Sequence, residues 1–172
     1  MKKTKNLTFC AMCVALGVVI LLLCSFLEFL SLTAVLFASV CIFIVREELH
    51  SARAFAVYLG IGIISVLIVP SKLIAIEFFI YAIYPVLKGL IERCNTALTY
   101  LFKGIYIVGA TLSDMAIIKF FFSEGTEKAI VMVGTVLVSL AWLILYDVFY
   151  TRLSRYYRAK LRSRLRIDRF FG

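Results

Sequence analysis

The chain has 172 residues, 63% of them hydrophobic, with a mean hydropathy of +1.03 and a net charge of +9. A soluble domain of this length could not bury that much apolar surface, so composition excludes one and points to a polytopic membrane protein. The positive charge is gathered at one end, which argues against nucleic acid as its partner.

From Asn6 to Val45 the only charged residue is Glu28. A straight helix over that run would be about 60 Å long, twice the roughly 30 Å hydrocarbon core of a bilayer. The run must fold back, and Glu28 near its middle marks the turn. This predicts helices over 7–27 and 30–45. Lys2, Lys3 and Lys5 precede an apolar segment, as in a signal peptide. No small-x-small cleavage site follows, and Leu23 precedes Cys24 where a lipid-attachment signal wants Gly or Ala. The first helix is therefore expected to be retained.

Further helices are predicted over 53–69, 73–91, 97–119 and 129–149, separated by "REELHSAR", "VPSK", "ERCNT" and "KFFFSEGTEK". The expected fold class is all-α, a bundle of six transmembrane helices over residues 1–150, with a basic tail over 151–172. An even number of spans puts both termini on one side. With that side cytoplasmic, 16 of the 19 basic residues lie inside and only Lys72, Lys119 and Lys128 outside. The positive-inside rule thus fixes the expected orientation, in a bacterial cell membrane. The tail, "TRLSRYYRAKLRSRLRIDRFFG", carries eight basic residues and one acid. Leu153, Tyr157, Leu161 and Leu165 recur every fourth residue, which predicts an amphipathic helix against anionic membrane lipid.

Motifs for chemistry are few. Cys10-x-x-Cys13 has redox or metal spacing, but it lies on an apolar helix in a chain with one histidine, His50, set in a polar loop. It reads as small apolar packing, and neither a metal site nor a cofactor is expected. No G-x-x-x-x-G-K-[ST], H-E-x-x-H or G-x-S-x-G occurs, so no enzymatic activity is expected.

The polar residues inside the predicted spans carry more. Glu77, Tyr81, Tyr84 and Lys88 fall at i, i+4, i+7 and i+11, one face of a continuous helix. Pro85 should kink that helix and free a carbonyl. An acid in mid-membrane costs about 2.5–3.5 kcal/mol on insertion scales, so Glu77 should face the interior with a partner. Asp114 in the fifth span lies five residues from Lys119, as Glu77 does from Lys72. Both carboxylates are then about 7 Å below the outer helix ends. Thr111 shares a face with Asp114, and Thr135, Ser139, Trp142 and Tyr146 form a polar-aromatic stripe on the sixth span.

Two readings follow. In one, these groups are interhelical glue, with Lys72 and Lys119 pairing the acids. In the other, Glu77, Tyr81, Thr111, Asp114, Ser139 and Trp142 line an outward-opening pocket for a small molecule.

Ala11-M-C-V-Ala15 is a small-xxx-small step near the inner end of the first helix, just after the basic "MKKTK". With six spans, internal termini and this size, the stretch "KNLTFCAMCVALGVV" resembles the substrate-binding S components of energy-coupling-factor (ECF) transporters. The resemblance implies a subunit that captures a vitamin or metal ion from outside. It also implies that Ala11 and Ala15 pack on a transmembrane coupling subunit driven by two separate ATPase subunits, in line with the missing P-loop. It names no substrate. The signature residues of vitamin subfamilies and the His-rich start of the metal-ion members are absent. The alternative is a non-transport membrane scaffold, similar to the MreD-like rod-shape proteins, which needs packing faces but no water-accessible polar pocket.

Overall fold

The computed structural model describes residues 2–26, 31–91, 96–121, 128–157 and 159, and those residues form no strand. Helices α1 (Lys2–Ser25), α2 (Ser31–Leu49), α3 (Ser51–Ile68), α4 (Lys72–Tyr81) and α5 (Tyr84–Ile91) belong to one compact unit. Helices α6 (Thr96–Phe121) and α7 (Lys128–Tyr156) belong to a second. Among the described residues, three helical stretches, Thr4–Ser25, Ser51–Ile68 and Val136–Tyr156, are long and apolar enough to cross a membrane. The molecule is therefore all-helical among its described residues and has the helices of a membrane protein.

The predicted helices recur, α1 beginning five residues early at Lys2, with three further differences that each have a local cause. The first is at "REELHSAR". Sequence suggested a polar loop, but α2 runs on through Arg46, Glu47 and Glu48 to Leu49, and α3 begins at Ser51. His50 alone makes the connection, with φ 96° and ψ 157°. That backbone region suits glycine, and a side chain held there costs about 1–3 kcal/mol. Polar residues do not stop a helix whose apolar face remains buried, and Val45 and Leu49 are both buried at the end of α2.

The second difference is the break at Ala82–Ile83, which divides the predicted 73–91 helix into α4 and α5. Pro85 has no N–H to donate and its ring crowds the preceding turn, so the chain unwinds rather than bending smoothly. The third is α7, which continues through Tyr156 and so enters the predicted tail. Leu161 and Leu165, and with them most of the tail, lie outside the described residues, as does Glu28.

The first unit is held by close helix approach. Its helices α1, α2 and α3 pack on one another, and α4 and α5 pack on α2 and α3. Leu21, Val35, Ile42, Val45, Val57, Ile61 and Phe78 are fully or almost fully buried. At Gly17 on α1 an added Cβ would come within 2.5 Å of Ile61 Cδ1 on α3, and at Gly62 it would meet the Phe79 ring at 2.5 Å. These glycines let α3 sit between α1 and α4 at small-residue distance.

Replacing His50 with Gly relieves the strained backbone, partly offset by the flexibility glycine adds to the unfolded chain. H50G should stabilise the protein by about 1 kcal/mol, read as a thermal midpoint a few degrees higher in detergent. A midpoint at or below wild type would show that the imidazole itself contributes to the fold.

Candidate functional site

Polar groups buried along apolar helices are the places where such a fold can do more than pack. In the second unit they pair directly. Lys103 Nζ on α6 donates to Asp147 Oδ2 on α7 at 2.8 Å, with the two side chains 25% and 32% exposed. Farther along, Ser139 Oγ donates to Asp114 Oδ2 at 2.6 Å. The α6 partner's number rises as the α7 partner's falls, so the helices run antiparallel. Buried Ala110 and Leu143 lie between these two bonds.

Ser139 is almost fully buried, and Trp142 follows one turn later on the same face of α7. The antiparallel register sets Trp142 level with Thr111 on α6. Thr111 does not reach across. Its hydroxyl donates within its own helix to the carbonyls of Ile107 and Val108, at 3.0 and 2.9 Å. Trp142 is part-buried, and its Nε1 is shielded from solvent without a hydrogen-bond partner among the described residues. A buried donor left in that state costs about 1–3 kcal/mol. Farther along α7, Tyr146 and Tyr150 are fully buried, with ring centroids 5.0 Å apart in an edge-to-face arrangement.

In the first unit, Tyr81 is 1% exposed and Glu77 is part-buried with its Oε2 atom shielded from solvent. The break divides the face suggested for Glu77, Tyr81, Tyr84 and Lys88 between two helices, with Glu77 and Tyr81 on α4 and Tyr84 and Lys88 on α5. Tyr81, Tyr84 and Lys88 are all buried. Lys72 donates to the carbonyls of Val66 and Val69, at 2.7 and 3.2 Å, and so closes the end of α3.

Three further polar arrangements occur, of which only the first two were not anticipated from sequence. Tyr58 Oη donates to the Phe79 carbonyl at 2.9 Å, satisfying an acceptor in the last turn of α4. Arg46 donates to the Pro85 carbonyl at 3.2 Å and lies 3.8 Å from Glu47, with both side chains mostly buried. Lys88 is 2% exposed, its ammonium 5.8 Å from the centre of the Tyr84 ring. The signal for Lys103–Asp147 was present in the sequence. Opposite charges lay in consecutive predicted spans, each within a few turns of what was expected to be the same membrane face.

Ala11 and Ala15 are both exposed on α1, on a stripe with Leu7, Met12, Leu16 and Val19. The buried residues of α1 are instead Gly17, Val18 and Leu21. Cys10, Cys13, Cys24 and Cys41 are free thiols.

All-helical architecture with membrane-length helices gives the class of the protein. Beyond that class, no protein-family model matches the chain, and comparison with curated proteins and with solved structures finds no match.

The Asp114–Ser139 bond predicts a measurable stability effect. S139A removes a hydrogen bond between two helices of an apolar bundle, an interaction worth about 0.6–1.7 kcal/mol. The variant should lose about that much stability, seen as a lower thermal midpoint in detergent. An unchanged midpoint would show that the hairpin of α6 and α7 does not depend on this bond.

Proposed function

We propose that the chain is the substrate-capture subunit of an ECF-type uptake transporter: a six-span protein of the cell membrane, with both termini cytoplasmic. It binds a small micronutrient from outside and works with a separate coupling subunit and ATPases. The observation that carries the ligand-binding part is the shielded indole N–H of Trp142 beside the Asp114–Ser139 bond. A helix pair selected only to hold together gains nothing from a buried donor with no acceptor. A site that waits for a small molecule does. Thr111, Asp114, Ser139 and Trp142 form the ligand-contacting face in this reading, and Glu77 and Tyr81 are not needed for it.

The partner-binding part is supported by the exposure of Ala11 and Ala15. Exposed small side chains offer another helix a close approach. The rival reading, an MreD-like scaffold, draws support from the two direct bonds between α6 and α7, which need no ligand.

Co-purification separates the two readings. A capture subunit brings down a membrane coupling protein with ATPases, and a scaffold brings down cell-envelope or cytoskeletal proteins. The double variant A11L/A15L should keep its fold, because both positions are exposed, and should lose the coupling complex through added bulk. Retention of the complex would remove these alanines from the interface.

Orientation has its own test. Gly125 lies in a segment expected to be external. A cysteine placed there in an otherwise Cys-free chain should react with an impermeant thiol reagent added outside intact cells. Labelling only after the cytoplasm is opened would reverse the orientation.

A further inference from the structure

The capture reading leaves the chemistry of the ligand open. Two acids suit a cation or a molecule with several hydrogen-bond donors, and a neutral polar ligand fits as well if Lys72 and Lys119 neutralise them. The hydrogen bonds around α6 and α7 narrow the choice. Asp114 Oδ2 already accepts the Ser139 hydroxyl, and the Thr111 hydroxyl is turned to its own helix. What this face holds without a partner is a donor. Trp142 Nε1 is shielded from solvent and bonded to nothing among the described residues.

A second buried polar atom in that condition, Ser65 Oγ, marks the contrast. A serine hydroxyl in a helix can rotate onto a carbonyl of the preceding turn, so its own backbone can satisfy it. An indole N–H is a donor only, fixed in the plane of a rigid ring. Its partner has to come from elsewhere. That partner must bring an acceptor oxygen, and the Asp114 carboxylate, on the helix facing Ser139 one turn away, disfavours one carrying negative charge.

Resting on the capture reading, we infer that Trp142 is a ligand-contacting residue whose Nε1–H donates to a neutral carbonyl-type oxygen. The substrate class is then an uncharged polar molecule with an amide, imide, urea or ketone group, since a cation without an acceptor oxygen would leave the indole N–H unpaired.

Trp142 is the only tryptophan in the chain, so ¹⁵N-tryptophan labelling gives one indole N–H signal in an NMR spectrum of the full-length protein in detergent micelles. Three minimal probes distinguish the cases: acetamide for a neutral carbonyl, acetate for an anionic acceptor and methylammonium for a cation with no acceptor. Acetamide should move the signal downfield in a saturable way, and the other two should leave it in place. A saturable shift with acetate or methylammonium, alone or beside acetamide, overturns the neutral-acceptor assignment but leaves a ligand-accessible site. A signal indifferent to all three overturns the role of Trp142 and removes the observation on which the capture reading rests.

Discussion

Proline 85 cannot donate a backbone hydrogen bond, and in an apolar helical protein an interrupted helix leaves end carbonyls that need other donors. Side chains of neighbouring helices bond the backbone on both sides of the interruption. The helix opens at Ala82–Ile83, and the Phe79 carbonyl is taken by Tyr58 from α3. The Pro85 carbonyl is taken by Arg46 from α2. Ile83 holds the restart of α5 by accepting from both Val86 and Leu87. Two neighbouring helices are thus fastened to the broken one through its own backbone. Arginine is drawn inward to a place where its charge also meets Glu47.

The two units use different physics. In the first, glycine lets helices approach until a branched or aromatic side chain fills the space a Cβ would occupy, as at Gly17 and Gly62. Such packing is apolar and shape-specific. In the second, α6 and α7 are joined by side-chain bonds at two levels, with small Ala110 between them. Hydrogen bonds between membrane helices average well under 2 kcal/mol each. Their geometry nevertheless sets register, because Asp114 and Asp147 must each meet a partner on the opposite helix.

Much of the helical layout was legible in composition. Long apolar runs, the charge at Glu28 and the separators between runs marked helices to within a few residues in most cases. The end of α2 was not legible, because "REEL" looks like a loop until Val45 and Leu49 are seen to be buried beside it. The α4–α5 break was half legible. Pro85 announced an interruption, but a proline alone does not tell a kink from a two-residue turn. The turn comes with contacts from outside the helix, Tyr58 on the last turn of α4 and Arg46 on the first turn of α5. At the candidate site, residue spacing correctly put Ser139 and Trp142 on one face. It could not reveal that Ser139 would bond Asp114, since that pairing depends on the α6–α7 register.

The single-residue link at His50 also limits how far its two helices can part. Across two peptide bonds, the ends of α2 and α3 can separate by no more than about 7 Å. Whatever surroundings either helix enters, the end of its partner is held within that distance, so the pair behaves as a helical hairpin. The stretch Ser51–Ile68, long and apolar enough to cross a membrane, is thereby tied to a partner whose final turn holds Arg46, Glu47 and Glu48.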